Sequence, residues 1–155
     1  MARLVDLAAL GIVPLLLGDA ATIDLGHAGG IDVRVFRQRM MRVPCFRLAS
    51  MRQAGFMAEW LKDHFASIRA KTAEYSKHAK LVELDPQVRG DSLHVHFVYE
   101  TGDAAGQNMT TTCTWKACLW ILERMAAFPD IEIRDFIIEA NLSNDKKATY
   151  QSFIK

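Results

Sequence analysis

The stretch Ser92–Glu100, SLHVHFVYE, constrains the fold more than any other part of the sequence because its side chains follow a period of two. One face of this predicted strand carries Leu93, Val95, Phe97 and Tyr99, and the other carries His94, His96, Val98 and Glu100. The turn Arg89-Gly90-Asp91 precedes it and indicates a hairpin. Its partner strand, KLVELDP, is expected to stop at Asp85-Pro86.

Two helices and two further strands are predicted around this hairpin. Ser50 and Gln53 form a capping box, and apolar residues at helical spacing follow as far as Ile68. A second helix is expected over 109–128, stopped by Pro129-Asp130. IDVRVF (31–36) and IEIRDFIIEA (131–140) are the remaining strands, and Pro44 is expected to make an edge or a bend within RQRMMRVPCFRL.

The order from Gly30 to Ala140 is therefore strand, helix, strand, strand, helix, strand. This order predicts an α+β, ferredoxin-like β-α-β-β-α-β fold, with two helices on one face of an antiparallel sheet. Since that fold hosts many unrelated functions, it does not by itself indicate one.

Composition and charge exclude several classes of protein. The chain has 155 residues, which suits one domain, and its 19 basic and 18 acidic residues leave no broad basic surface for nucleic acid. Three cysteines without a C-x-x-C pair predict a reducing, cytoplasmic location. The apolar run 7–17 contains Gly11 and Pro14 and is too short to span a membrane.

The stretch TGDAAGQNM (101–109) lies between a predicted strand and a predicted helix. Gly102 and Gly106 would let the backbone approach a ligand closely, and free N–H groups at the helix start would favour an anion. Asp103 supports a different interpretation, because a carboxylate can cap a helix N-terminus without any ligand. The spacing lacks both the G-x-G-x-x-G pattern and the Walker lysine, so both interpretations stay open.

Three other polar clusters are candidates for a site. The tail EANLSNDKK places Asn141, Asp145, Lys146 and Lys147 just after a strand, where they form either an oxyanion and carboxylate site or a solvated turn. The stretch YSKHAK (75–80) contains Lys77, His78 and Lys80. These side chains would either bind a phosphate or place favourable positive charge at the C-terminus of a helix. His94 and His96 have metal-ligand spacing without an evident third ligand, which favours a solvated sheet face.

Four of these stretches, taken together, resemble the 3-hydroxy-3-methylglutaryl-coenzyme A reductase (HMG-CoA reductase) family. They are GGIDVRVFRQRMMRVPCFRL, YSKHAKL, TGDAAGQNM and IIEANLSNDKKATYQSFIK, in this order. The glycine loop and the D-K-K motif are both specific to the family, and the similarity runs from about residue 29 to residue 155.

The resemblance implies a division into an extension (1–28), a ferredoxin-like NADP-binding domain (29–140) and the start of a substrate-binding segment (141–155). It also implies NADPH as cofactor, HMG-CoA or a related acyl thioester as substrate, mevalonate and coenzyme A as products, and a homodimer. The implied cofactor contacts are Ser76, Lys77, Asp103, Gly106, Gln107 and Asn108. Arg42, Asn141, Asp145 and Lys147 would bind the substrate, and Lys146 would be the catalytic residue that stabilises the oxyanion.

The chain also departs from the family pattern. Glu139 stands where the family commonly has a serine that touches the substrate, and a carboxylate there would repel the carboxylate of that substrate. Segments like those that carry the family's catalytic Glu, its second acid and its His are not found, so we expect a fragment or truncated relative of the enzyme. The alternative is a non-catalytic NADP(H)-binding or regulatory module derived from the family.

Overall fold

The structure is a computed structural model, and it describes residues 39–143. The chain divides into two compact units. One consists of residues 1–38 with Gly102–Ala105, and the other of Arg39–Thr101 with Gly106–Lys155. In the first unit, the structure describes the loop Gly102–Ala105, and all four of its residues are exposed. The predicted strand 31–36 and the apolar run 7–17 lie outside the described residues. The domain boundaries expected from the sequence, at residues 28 and 140, stay a prediction.

The sheet of the described residues is organised around one long strand. Strands β3 (Lys80–Arg89) and β4 (Ser92–Glu100) form a hairpin, with Gly90 at a φ of 62° in the turn between them. Along its other edge β4 pairs with β1 (Met40–Arg42) and then with β2 (Cys45–Leu48). β5 (Ile133–Ile137) pairs with β2 on the far side, and all of these pairings are antiparallel.

Pro44 lies in the short gap between β1 and β2. A proline has no N–H to donate, so the regular ladder is interrupted there. Neighbouring carbonyl groups nevertheless continue the pairing, since Val95 N donates to Pro44 O at 3.0 Å and Ala140 N donates to Val43 O at 2.9 Å. Because β2 lies between β4 and β5, the prediction of an edge is wrong. β1 and β2 keep one register against β4, with Arg42 opposite Phe97 and Cys45 opposite His94.

The prediction that Asp85-Pro86 ends its strand is also wrong. β3 continues through Pro86 to Arg89, and Pro86 lies opposite Val95 of β4. Within the described sheet β3 pairs only with β4, so a residue without an N–H is tolerated when that position faces away from the partner strand.

Three helices cover the face of β4 that carries its apolar side chains. They are α1 (Met51–Asp63), α2 (Phe65–Ala73) and α3 (Gln107–Met125). The buried cluster joins residues of all three helices to Leu93, Val95, Phe97 and Tyr99 of β4, each of which is 0% exposed. The described residues thus form a mixed α and β structure with an antiparallel sheet, which confirms the coarse fold prediction.

Tyr99 is the one polar side chain of β4 that points into this core. Its hydroxyl group lies 2.8 Å from Oγ1 of Thr114 on α3, and Thr114 is fully buried. Burial raises the pKa of Tyr99 well above its ordinary value, and the hydrogen bond to Thr114 opposes that shift only in part. The hydrogen bond therefore satisfies a polar group that would otherwise be costly to bury.

The first predicted helix is present but is divided. Ser50 is the N-cap of α1, and its hydroxyl accepts a hydrogen bond from Gln53 N at 3.3 Å, as the capping box predicts. His64 then separates α1 from α2. Its ring stacks on Trp60 with centroids 4.0 Å apart, and its Nδ1 atom lies 2.8 Å from the Trp60 carbonyl oxygen. These contacts hold His64 at a φ of −101°, outside the helical range.

None of the helices within residues 39–143 has the length and apolar character needed to cross a membrane. α3 begins two residues before the predicted position and ends at Met125, before the predicted end at Phe128. β5 occupies only the centre of the predicted last strand. Cys45, Cys113 and Cys118 are buried and are not joined by disulfide bonds.

The side chain of Gln53 links the start of α1 to the segment before β5. Its Oε1 accepts hydrogen bonds from Ala49 N at 3.1 Å and Glu132 N at 3.3 Å, and its Nε2 donates to Asp130 O at 2.7 Å. We predict that Gln53→Ala lowers the free energy of unfolding by about 1–2 kcal/mol, because all three hydrogen bonds of the Gln53 side chain are lost together. Urea denaturation measures this change.

Arg52→Ala is the matched control, because Arg52 is the preceding residue of α1 and is exposed. The control is expected to change the free energy of unfolding by no more than about 0.5 kcal/mol. An equal loss of stability in both variants would contradict the proposed role of the Gln53 side chain.

Candidate functional site

Gly106, the residue before α3, has a left-handed conformation that favours glycine. Its φ is 71° and its ψ is 19°, and it is the N-cap of the helix without a side-chain capping bond. A Cβ atom at this position would lie 2.8 Å from Cγ2 of Thr101 and 3.1 Å from Cε of Met109. The N-cap of α3 is therefore Gly106 and not Asp103, and no side chain caps the helix.

A second loop packs against this helix start. Ser76 lies between α2 and β3, and its hydroxyl donates to Sδ of Met109 at 2.9 Å. The same Ser76 oxygen accepts hydrogen bonds from the N–H groups of His78 at 3.1 Å and Ala79 at 3.3 Å. The side chain of Ser76 therefore shapes its own loop and holds it beside the first turn of α3.

The cations of this loop point to solvent. Lys77, His78 and Lys80 are exposed, and Lys80 is the first residue of β3. Just before the loop, the ring of Tyr75 lies 5.4 Å from Nζ of Lys116 on α3, a cation–π contact. Exposed cations beside a helix N-terminus are an arrangement that suits an anionic ligand.

The predicted cofactor contacts fall into two groups. Ser76, Lys77, Gly106, Gln107 and Asn108 are brought together by the Ser76–Met109 contact, with Gln107 and Asn108 in the first turn of α3. Asp103 belongs to the exposed loop Gly102–Ala105 of the other unit, where Gly102 has a φ of 64°.

Arg42, predicted to bind a substrate, is held inside the protein. Its side chain is 9% exposed. Its Nε donates to Oγ1 of Thr111 at 2.7 Å, its Nη2 to the carbonyl of Gln107 at 3.4 Å, and its Nη1 to the carbonyl of Met41 at 3.1 Å. Arg42 thus links the end of β1 to the first turns of α3.

Glu139 supplies a negative charge beside this arginine. Its Oε2 lies 3.9 Å from Nη1 of Arg42 and accepts a hydrogen bond from Val43 N at 3.4 Å. The other oxygen, Oε1, is buried and has no hydrogen-bond partner among the described residues. The ion pair neutralises Arg42 within the protein, which the sequence did not reveal because the two residues are 97 positions apart, 139 minus 42.

The remaining predicted substrate residues are only partly described. Asn141 is exposed and has a φ of 61°, a left-handed conformation that asparagine tolerates better than most residues. Asp145, Lys146 and Lys147 lie outside the described residues.

Thr111 and Met109 are site residues that the sequence patterns did not single out. Both lie within the first turns of α3, and each contacts a residue that was singled out, Arg42 and Ser76 respectively. The Thr111 hydroxyl also donates to the Gln107 carbonyl at 2.7 Å, one helical turn earlier.

The two histidines of β4 occupy the sheet face opposite the helices. His96 is buried, at 3% exposure, so the predicted solvated face is wrong at this position, whereas His94 is half-buried. His94 lies opposite Cys45 of β2, yet no group of three or more metal-binding side chains occurs between residues 39 and 143.

Comparison with known proteins identifies the family. A model described as Hydroxymethylglutaryl-coenzyme A reductase matches residues 20–155 of this chain. The chain belongs to the HMG-CoA reductase family. The resemblance noted in the four sequence stretches is thereby confirmed.

Named relatives in the HMG-CoA reductase family match most of this chain. The 3-hydroxy-3-methylglutaryl-coenzyme A reductase of Haloferax volcanii is 33% identical over 123 residues, which are 79% of this chain and 29% of that protein. The protein of the same name from Pyrococcus abyssi is 34% identical over 131 residues, 84% of this chain and 31% of that protein. The chain thus spans less than a third of the length of these relatives.

Among solved structures, MupZ from Pseudomonas fluorescens aligns with a TM-score of 0.32 and 16% identity, over 68% of this chain and 70% of that chain. These values are too low to indicate a shared fold.

Gly106→Ala is predicted to lower the free energy of unfolding by about 1–3 kcal/mol, because the left-handed conformation is unfavourable and the new methyl group meets Thr101. Chemical denaturation measures the change. Gly55→Ala is the control. Gly55 lies inside α1 with no atom within 4 Å of an added Cβ, so this change should stabilise the protein by up to about 1 kcal/mol. Changes of the same sign in both variants would contradict the prediction.

His94 should make stability depend on pH. Burial, and secondly the positive charge of Arg89, hold the pKa of His94 below its ordinary value of 6.5. The unfolded chain therefore binds the proton more readily. The contribution of His94 to stability is complete above pH 6.5 and falls as the pH drops below that value.

We predict that His94→Gln flattens the fall in urea midpoint between about pH 7 and about pH 5. His78→Gln is the control, since His78 is exposed. A fall in urea midpoint that His94→Gln leaves unchanged would show that other groups cause it.

Proposed function

We propose that this chain forms the NADPH-binding part of an enzyme that reduces HMG-CoA to mevalonate and coenzyme A, or a related acyl thioester to the corresponding alcohol and coenzyme A. The observation that carries this proposal is the contact between Ser76 and Met109, which joins the cationic loop to the start of α3. Family membership over residues 20–155 supports the same activity. NADPH would supply the hydride, while the protein supplies position and electrostatic field.

We infer a ferredoxin-like fold for the domain that binds the nucleotide. The strand order β3–β4–(β1, β2)–β5, with every pair antiparallel, supports this inference. β1 and β2 then count as one strand interrupted at Pro44, and α1 and α2 as one helix divided at His64. Both interruptions have local causes, and neither changes the order of the elements along the chain.

The cofactor would contact both sides of the Ser76–Met109 junction. Lys77 is exposed and would bind the additional phosphate that distinguishes NADPH from NADH, with Ser76 beside it. Gly106, Gln107 and Asn108 would present the N-terminus of α3 to the negatively charged part of the dinucleotide. The family resemblance also implies Asp103 as a cofactor contact.

The substrate would react beside the tail that follows β5. Lys146 would stabilise the negative charge that develops on the thioester oxygen, and Asp145 would orient that lysine. Arg42, Asn141 and Lys147 would bind the acyl group. We further propose that the enzyme is a cytoplasmic homodimer, as the family resemblance implies.

A second candidate is a non-catalytic NADP(H)-binding or regulatory module. The Arg42–Glu139 ion pair favours this alternative, because a proposed substrate ligand already has an internal carboxylate partner at 3.9 Å. The two candidates share cofactor binding and differ in turnover. NADPH oxidation in the presence of acyl thioester therefore distinguishes them.

Nucleotide fluorescence titration tests the shared part of the proposal. We expect the chain to bind NADPH more tightly than NADH, and Lys77→Gln to weaken NADPH binding about tenfold while leaving NADH binding unchanged. The reason is that an exposed lysine is proposed to contact only the additional phosphate. Lys62→Gln is the control, because Lys62 is also an exposed lysine but pairs with Glu59 on α1.

Equal affinity for the two nucleotides, or equal effects of the two lysine substitutions, would contradict the proposed site. Binding of NADPH without its oxidation, when HMG-CoA and other acyl thioesters are supplied, would support the non-catalytic module.

A further inference from the structure

Three consecutive threonines follow the first turn of α3. Their hydroxyl groups donate to carbonyl groups four residues earlier in the chain: Thr110 to Gly106 at 3.0 Å, Thr111 to Gln107 at 2.7 Å and Thr112 to Asn108 at 3.0 Å. Threonine is a weak helix former, and side-chain bonds of this kind slightly destabilise a helix. A local preference that is broken in this way points to a role outside helix formation.

Thr111 differs from its two neighbours because its hydroxyl group also accepts a hydrogen bond from a cation. Nε of Arg42 donates to Oγ1 of Thr111 at 2.7 Å. A guanidinium group has no acceptor atom, so the Thr111 oxygen must accept, and its own proton is directed at the Gln107 carbonyl. Within residues 39–143, neither Thr110 nor Thr112 receives a hydrogen bond from a cationic side chain.

These bonds form a chain that leads from Arg42 to the proposed cofactor site. The Gln107 carbonyl belongs to the same peptide group as the N–H of Asn108, and a donor on the oxygen of a peptide group makes its N–H a stronger donor. Nη2 of Arg42 reaches the same carbonyl at 3.4 Å. The N–H groups of a first helical turn have no carbonyl partner within the helix, and Asn108 is exposed. A ligand at the start of α3 therefore meets an N–H group that Thr111 has strengthened.

Burial makes the first bond of this chain effective. The side chain of Arg42 is 9% exposed, and a hydrogen bond is electrostatically stronger inside a protein than in water. Glu139 lies 3.9 Å from Nη1 of Arg42 and stabilises the buried charge through a nitrogen other than Nε. Arg42 is therefore held in place with its Nε–H group directed at Thr111.

We propose that Thr111 is a positioning residue of the cofactor site. Its hydroxyl group fixes the peptide group between Gln107 and Asn108 and strengthens the Asn108 N–H that meets the diphosphate of the dinucleotide. The inference rests on the proposed function, since it concerns the same nucleotide site. NADPH and NADH share the diphosphate, so Thr111 contributes equally to the binding of both. Lys77, in contrast, is proposed to contact only the additional phosphate of NADPH.

Thr111→Val tests the proposal, because valine has nearly the shape of threonine and lacks the hydroxyl group. We expect this variant to bind NADPH and NADH each about fivefold more weakly than the wild-type chain, with the ratio of the two affinities unchanged. Thr111→Ser restores the hydroxyl group and should bind both nucleotides within about twofold of the wild-type chain. Nucleotide fluorescence titration measures these dissociation constants. Thr111→Ala removes the same hydroxyl group with a stronger helix former and replaces Thr111→Val if valine prevents folding.

Thr112→Val is the matched control. It removes the same kind of hydrogen bond from the next position of α3, where the hydroxyl group donates to the Asn108 carbonyl. Thr112 is exposed and has no hydrogen bond from Arg42, so this change should alter both dissociation constants by less than about twofold. An effect that comes only from losing a side-chain bond within the helix would appear in both valine variants.

Heteronuclear NMR on the same samples shows whether the effect passes through the hydroxyl group. Saturating NADPH should move the Asn108 N–H resonance downfield in the wild-type chain, because that group is proposed to donate to the nucleotide. Thr111→Val should reduce this shift, and Thr111→Ser should retain it. The Arg42 Nε–H resonance of the nucleotide-free chain should change in Thr111→Val and stay in place in Thr112→Val. A purely structural role for Thr111 would not give this pattern.

The proposal is overturned if Thr111→Val binds both nucleotides as tightly as the wild-type chain, if serine does not restore binding, or if Thr112→Val weakens binding as much as Thr111→Val does. A wild-type chain that binds neither nucleotide overturns the proposed function and this inference with it. Normal NADPH binding by the wild-type chain, with equal dissociation constants in the two valine variants, overturns the role of Thr111 alone.

Discussion

The burial of strand β4 is the constraint on which the rest of the described structure depends. Its four core-facing side chains, Leu93, Val95, Phe97 and Tyr99, are fully buried, and both of its edges are paired. A strand in this position needs neighbours on two sides and a layer of helices on one face. β3, β1 and β2 supply the neighbours, and the three helices supply the layer.

The same arrangement brings the candidate site together at one end of the sheet. β1 ends at Arg42, and α3 begins at Gln107 soon after β4 ends. Beyond β5 the chain continues alongside its partner strand, where Ala140 N donates to Val43 O. Arg42 contacts all three segments, through Met41, Gln107 and Glu139. The position of the site therefore follows from how the strands pair, and its chemistry follows from the side chains at those ends.

Predictions from the sequence succeeded where the cause is local. The period of two in β4, the glycine turn before it and the helix N-cap at Ser50 each depend on residues within a few positions of one another. Predictions from the sequence failed where contacts with residues far away in the chain determine the local structure. Pro86 continues β3 because of where β3 lies in the sheet, and His96 is buried although its strand alternates. The glycine loop could not be assigned from local physics, and only its combination with three other stretches indicated the family.

The sequence by itself determined the family, the central hairpin, the start of the first helix at Ser50, the start of α3 to within two residues, and the candidate site residues. Those features depend on short-range patterns and on motifs that the chain carries regardless of its fold. Only the tertiary structure decided that Ser76 holds its loop against Met109, and that Glu139 neutralises Arg42. These contacts join residues far apart in the sequence. Strand pairing and helix packing bring them within hydrogen-bonding distance, and no local pattern of residues encodes that.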